Sequence, residues 1–243
     1  MKRKTVTTLS LAVKPIDKAM GSRLEAILDE RERARAARFV FEQDRRAYTA
    51  AHALLRHALS DRAGVEPSAW RFAAGSRGKP YLAKQPAGFD LRFSLSHCRS
   101  MVAVAIAQDL EVGVDVEACD RAVDLEIANS CFAPDEIAML NGLPQPEQRR
   151  DRFIMLWTLK EAVIKATGAG LSQPLESFSI GFDPLRVTML DCSGNDGITA
   201  GQAFFGQASW RVACWRRSDH HIAVATRCTE GTPIFEHQEA KFT

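Results

Sequence analysis

Two carboxylates stand two residues apart in the segment Gly113-Val114-Asp115-Val116-Glu117. On a β-strand, residues i and i+2 project to one face. Asp115 and Glu117 therefore present their charges side by side, while Val114 and Val116 pack the other way. Neighbouring carboxylates repel unless a cation sits with them. Magnesium suits such a pair, because it takes a few carboxylates and leaves its remaining positions to water and substrate phosphate. An exposed strand edge whose acids face water has the same pattern, so the motif needs company.

A helix supplies it. The run Trp157-Thr158-Leu159-Lys160-Glu161-Ala162-Val163-Ile164-Lys165 puts Trp157, Glu161 and Lys165 at i, i+4 and i+8, roughly along one face. An ordinary surface Glu–Lys pair has the same spacing. Phe153, Ile154, Met155, Leu156, Leu159, Val163 and Ile164, however, leave this helix little polar face. Charges retained on a nearly buried helix point to a use. Phe93-Ser94-Leu95-Ser96-His97 adds a histidine at a strand end, suited to a phosphate oxygen or to proton transfer. Cys98 follows directly but points to the opposite face, which argues against a Cys–His dyad. Ser76-Arg77-Gly78-Lys79-Pro80 brings cations and a close-approach glycine, without being a P-loop. The four pieces together describe phosphoryl-type chemistry at a diphosphate. A metal-dependent nuclease is the first alternative; there the acid and lysine stand as E-x-K on a strand, whereas Glu161 and Lys165 lie on a helix. A non-enzymatic module that binds a ligand or a partner protein is the second, and the carboxylates argue against it, since pure nucleotide binding needs cations more than acids.

The elements that must position these residues follow from periodicity. Helical spacing runs over 22–60, with a break near 40–43. Glycine and proline at 64, 67, 75 and 78–80 mark loops. Phe93–His97 alternates as a strand, Cys98-Arg99-Ser100 turns, Met101–Ala107 returns, and Val112, Val114 and Val116 form a further strand. A short helix is expected over 134–141 and a long one over 147–167, ended by Gly168 and Gly170. Strands are expected at Phe178–Phe182, Trp210–Trp215 and His221–Thr226, and residues 229–243 as a polar tail with little core potential. An internal echo links the helix from Asp44 to that from Asp151, and the hairpin ending at Ala103-Val104-Ala105 to that ending at Ala223-Val224-Ala225. A duplicated α+β unit, helix first and then strands, with a cleft between halves 1–108 and 109–228, is the expected architecture.

The chain has 243 residues, 46% hydrophobic and 26% charged, enough for a sizeable core. Its net charge of +2 gives little draw toward nucleic acid. The arginines of 31–46 form a basic run, either a solvated helix face or a surface for phosphate or an acidic partner. None of the six cysteines forms a CxxC pair, and no apolar run resembles a signal peptide or a membrane helix. A cytoplasmic setting with free thiols is expected.

The ordered set of motifs resembles one family, the Sfp-type 4′-phosphopantetheinyl transferases. The resemblance rests on Gly78-Lys79-Pro80, Phe93–His97, Gly113–Glu117, Phe132-Ala133-Pro134-Asp135-Glu136, the Trp157–Lys165 helix, and then Gly168, Gly170, Leu171 and Pro174. Upstream, Arg35, Phe39, Asp44 and Leu54-Leu55-Arg56 fit the family's first helices, and the match spans about 31–182. The form of the long helix is that of the W/KEA branch. Departures are Ser94 in place of asparagine, Cys98 in place of serine, and Tyr48 near a position that can carry a small hydroxyl residue.

The resemblance implies two α+β halves related by a pseudo-twofold axis, with coenzyme A bound between them. It implies magnesium held by Asp115, Glu117 and Glu161, a proton-accepting Glu161, a Lys165 that steadies departing 3′,5′-ADP, and His97 and Lys79 on the phosphates. Arg35 would meet the 3′-phosphate of the nucleotide, with Ser96 in support of the phosphate region, and Glu136 would brace the fold through an ion pair. The implied partner is the serine of an apo acyl, peptidyl or polyketide carrier protein, served by a monomer with no membrane or nucleic-acid partner.

Overall fold

The computed structural model describes residues 8–16, 21–189, 209–228 and 234–238. The secondary structure falls into two blocks with the same order of elements. The first begins with β1 (Thr8–Pro15), then the short helices α1 (Gly21–Ala26) and α2 (Glu30–Ala36) and the long α3 (Glu42–Ala63). A small hairpin follows, β2 (Phe72–Ala74) and β3 (Pro80–Leu82), then a second, β4 (Leu91–His97) and β5 (Met101–Gln108). The second block repeats this: β6 (Val112–Ala118), the short α4 (Ala128–Cys131) and α5 (Pro134–Asn141), and the long α6 (Pro146–Thr167). It closes with the hairpins β7 (Phe178–Phe182) with β8 (Leu185–Met189), and β9 (Ser209–Arg217) with β10 (His220–Cys228).

The sheets repeat too. β5 lies between β1 and β4, and β10 lies between β6 and β9, antiparallel throughout. Both α3 and α6 have 22 residues and end in a left-handed glycine, Gly64 and Gly168. The duplicated α+β unit of the sequence is thus present as a repeated topology, with a strand rather than a helix leading each block.

Alternation along the strands builds a four-layer stack. Val102, Val104 and Ile106 of β5 pack under α3 with Leu54, Leu55 and Leu59. The other face of β5, Ala103, Ala105 and Ala107, meets Val112, Val114 and Val116 of β6 and Ile222 and Val224 of β10. Ala223 and Ala225, on the opposite face of β10, pack with Leu159, Ala162 and Val163 of α6. The order is therefore helix, sheet, sheet, helix, and the site residues of β6 face α6.

Three local features differ from expectation. The helical stretch 22–60 is three helices, broken also at 27–29, because Asp29 caps α2: its carboxylate accepts from the Glu32 N–H at 2.9 Å while Glu32 accepts from the Asp29 N–H at 2.8 Å. β9 and β10 extend past the expected ends, as a continuous ladder from Ser209↔Cys228 to Arg217↔His220. Within 229–243, Ile234–Gln238 is a strand, β11, parallel to β1 and on the edge of the first sheet. The rest of that tail lies outside the described residues. Among those described, no helix is long and apolar enough to cross a membrane.

Candidate active site

Gly113 decides how the acidic strand meets the helix. A Cβ on it would lie 1.9 Å from the Ala162 carbonyl oxygen and 2.4 Å from the Ala166 nitrogen, so only glycine lets α6 lie directly on β6. That contact brings Asp115 and Glu117 beneath Glu161 and Lys165.

Asp115 is buried. Its Oδ1 accepts from the Ser96 hydroxyl at 2.7 Å and from Lys165 Nζ at 2.6 Å, and Lys165 also donates to Ser96 Oγ at 2.9 Å. Residues from β4, β6 and α6 thus close a three-membered ring across the joint between the blocks. The other oxygen, Asp115 Oδ2, is buried with no hydrogen-bond partner. Such an orphaned acceptor is costly unless a ligand uses it.

The two glutamates beside it carry the same sign of unmet demand. Burial, and then the charge of Asp115, pushes the Glu117 carboxyl up to about 7 against the pull of Arg121 and Lys165. Glu161 is raised by the same two causes in the same order. Three carboxylates within electrostatic reach of one another, one with an unpartnered oxygen, offer an all-oxygen donor set of the kind magnesium prefers.

The remaining expected residues divide. Lys79 shares a cavity of about 290 Å³ with Glu161, Lys165, Phe93 and Gly168. Its Nζ is held by Glu111 at 2.7 Å and by the Ala166 carbonyl at 3.0 Å, so it bridges the first block to the second. His97, at the exposed end of β4, has its pKa lowered by the surrounding protein and then by Lys165, which favours the neutral ring. Arg35 is not drawn to the carboxylates. It borders a separate depression with Arg38 and Phe39, and its charge acts on buried Tyr48, whose ring lies 4.1 Å from that of His52.

Two charges take structural roles. Lys160 is fully buried and pairs with Glu136 at 2.8 Å while donating to the carbonyls of Leu175 and Phe178. Glu136 also accepts from the N–H groups of Ala133 and Ile180, which makes it the brace expected from the sequence. Ser94, at the departure from asparagine, accepts from the Val114 N–H at 3.1 Å and so joins β4 to β6. Sequence reasoning missed Arg121, which pairs with Glu117 at 2.5 Å and stacks 5.5 Å over Trp157, and Glu111, the partner of Lys79. Glu111 has no local signal, since it meets Lys79 only through the fold, while Arg121 stands four residues from Glu117 but past the end of β6, outside any regular period.

A repeated α+β unit with three carboxylates and a lysine at its joint has side chains of the types that phosphate chemistry uses. Comparison with known proteins narrows this class. Residues 111–225 match the 4′-phosphopantetheinyl transferase superfamily, and residues 14–109 match the family described as 4′-phosphopantetheinyl transferase, N-terminal. The 4′-phosphopantetheinyl transferase HetI of Nostoc sp. is 40% identical over 202 residues, covering 79% of this chain and 84% of that protein. The 4′-phosphopantetheinyl transferase Sfp of Bacillus subtilis is 30% identical over 167 residues, covering 69% and 72%. The L-aminoadipate-semialdehyde dehydrogenase-phosphopantetheinyl transferase of Pongo abelii is 26% identical over 218 residues, covering 83% and 67%. The chain belongs to the 4′-phosphopantetheinyl transferase superfamily.

Proposed function

We propose that this protein moves the 4′-phosphopantetheine group of coenzyme A onto a serine hydroxyl of an apo carrier protein and releases 3′,5′-ADP. The observation that carries the assignment of residues is Asp115, with one oxygen bound to Ser96 and Lys165, the other without a partner, and a charge that raises the pKa of both Glu117 and Glu161. Asp115, Glu117 and Glu161 would hold magnesium. When bound, the ion supplies positive charge to the diphosphate oxygens.

In the transfer, the serine oxygen forms a bond to the phosphorus that bears the pantetheine. The bond from that phosphorus to the bridging oxygen breaks, and the electron pair leaves with 3′,5′-ADP. Glu161 accepts the serine proton, directly or through water. Lys165, fixed by Asp115 and Ser96, stabilises the charge that develops on the leaving oxygen. His97 donates to a phosphate oxygen through one ring nitrogen. Lys79 joins the phosphate contacts by exchanging Glu111 for the substrate anion. Arg35 meets the 3′-phosphate at the far end of the nucleotide. Coenzyme A lies between halves 1–108 and 109–228, related by a pseudo-twofold axis. Both halves come from one chain, so a monomer completes the site.

The test is intact-mass measurement of apo carrier proteins of acyl, peptidyl and polyketide type, incubated with enzyme, coenzyme A and magnesium. A mass gain of one phosphopantetheine, lost on chelation or on replacement of the carrier serine, is the expected result. No gain on any carrier by a protein that binds coenzyme A would overturn the proposal.

A further inference from the structure

At the other end of α6 from Lys165, three side chains from three elements converge. They are Cys119, just past β6, Asp151 in the early turns of α6, and His221 on β10. One ligand atom of each lies within 4.8 Å of the others. His221 Nε2 is already 2.9 Å from Asp151 Oδ1. His221 is buried, while Cys119 and Asp151 are partly exposed, so the group is fixed on its inner side and open to solvent on its outer side.

The donor set is thiol, imidazole and carboxylate, which differs in kind from the all-carboxylate group of Asp115, Glu117 and Glu161. Sulfur and imidazole select zinc over magnesium. With Zn–S near 2.3 Å and Zn–N near 2.0–2.1 Å, tetrahedral ligand atoms stand about 3.5 Å apart. The separations found need only small side-chain rotations to close around an ion. Arg216 now occupies the outer side of Asp151 at 3.3 Å, and its exposed side chain is free to swing out.

The group lies beside the first on the same pair of strands. His221 stands opposite Glu117 in the β6–β10 ladder, and Cys119 is two residues along from Glu117. An ion here would tie the start of α6 to both strands, at the end of the helix where Gly113 does not.

We propose that Cys119, Asp151 and His221 form a zinc site, with water in the fourth position, that fixes the N-terminal end of α6 against β6 and β10. On binding, the Cys119 thiol gives its proton to solvent and the thiolate bonds to the metal. The site is independent of the transfer chemistry and does not rest on it.

Cobalt(II) serves as a spectroscopic probe, added to the full-length, metal-stripped protein in the presence of excess magnesium. The expected result is one equivalent bound, with a sulfur-to-cobalt charge-transfer band and tetrahedral d–d absorption, both displaced by zinc. Cys119→Ser removes the charge-transfer band, and His221→Asn weakens binding at least tenfold. Zinc raises the Tm of the native chain and not that of Cys119→Ser. Asp151→Asn, at a partly exposed position, repeats the test should His221→Asn fail to fold. Absence of the band, or a band that survives Cys119→Ser, would overturn the proposal. The carboxylate group cannot give this band, because it offers no sulfur.

Discussion

Lys165 Nζ sits 2.6 Å from Asp115 Oδ1, on the oxygen that also takes the Ser96 hydroxyl, while Oδ2 of the same carboxylate stays without a partner. The lysine is an internal counter-ion that covers one half of the acid only. A buried carboxylate with no cation would be expelled or protonated. With the lysine in place, Asp115 is held in position and its second oxygen is left without a partner. Ser96 ties this arrangement to β4, so the acid cannot shift without opening the joint between the blocks.

Asp115→Asn tests that division of labour. The amide keeps the shape and leaves Lys165 without its countercharge. We expect the magnesium concentration for half-maximal transfer to rise at least about tenfold, since one charged ligand is gone. The measurement is a magnesium titration of carrier modification, paired with calorimetric binding of the metal. An unchanged titration would remove Asp115 from the metal set.

Glu161→Gln, assayed at saturating magnesium because the same carboxylate would also hold the ion, tests the proton transfer. General-base contributions are about 10²–10⁴-fold in rate. The variant should lose that much in kcat while it still binds coenzyme A, because Lys79, Lys165 and His97 are intact. Its Tm should hold or rise, since a raised-pKa carboxylate has been replaced by a neutral group. A variant with native kcat would rule out Glu161 as the base.

The pH dependence of stability follows from Glu117, pushed up to about 7 from the ordinary 4.5 by burial and Asp115. An acid whose pKa is higher in the folded chain binds its proton more tightly there. The fold therefore has this contribution below the unfolded value and loses it as pH rises through about 7. Magnesium acts in the opposite direction, because it binds the ionised form. Melting curves in chelator should lose stability between about pH 5 and pH 8 from this source. The rise in Tm on adding magnesium should be larger at about pH 8 than at about pH 5. Equal rises at both would show that Glu117 does not take the metal.

The same strand shows how far the sequence could be read. The alternation of Val114 and Val116 with Asp115 and Glu117 was legible because a strand has period two. The α6 face was legible because a helix repeats every 3.6 residues, and Gly168 ended it as a left-handed cap. Those local rules single out Asp115, Glu117, Glu161 and Lys165, whereas Ser96 is given a part only by the family resemblance. They could not show that Lys79 rests on Glu111 or that β11 joins β1, since each pairing spans a chain distance that no local pattern encodes, and Arg121, though only four residues from Glu117, lies just past the end of β6, where neither strand nor helix period pairs the two. Lys160 shows the other limit: a lysine beside two site residues is turned inward by its place on the helix and serves the core.

Gly113→Ala should disturb fold and site together. Its Cβ would meet backbone atoms of Ala162 and Ala166, which cannot rotate away as a side chain could. Overpacking of a tight core costs about 1–3 kcal/mol or more, and here the strain falls on the contact that sets Asp115 under Glu161. We expect a Tm several degrees lower and transfer reduced even in the folded fraction. Native activity per folded molecule would mean that the β6–α6 spacing is not what aligns the acids.

The buried pair of Lys160 and Glu136 offers the converse case, a charge cluster whose loss should spare the chemistry. Lys160→Met strands the Glu136 carboxylate at a position 1% exposed, where only the Ala133 and Ile180 N–H groups remain to it. Breaking one side of such a pair costs about 3–5 kcal/mol. Adding Glu136→Gln removes the stranded charge and keeps an acceptor for the backbone, so the double variant should recover part of that loss. Urea unfolding of the four members of the cycle gives the coupling between the two sites. Transfer per folded molecule should stay native in all four, because neither side chain touches the carboxylates or Lys165. A fall in kcat at full folding would place Lys160 in the active site after all, and additive losses would mean that the pair does not act as a unit.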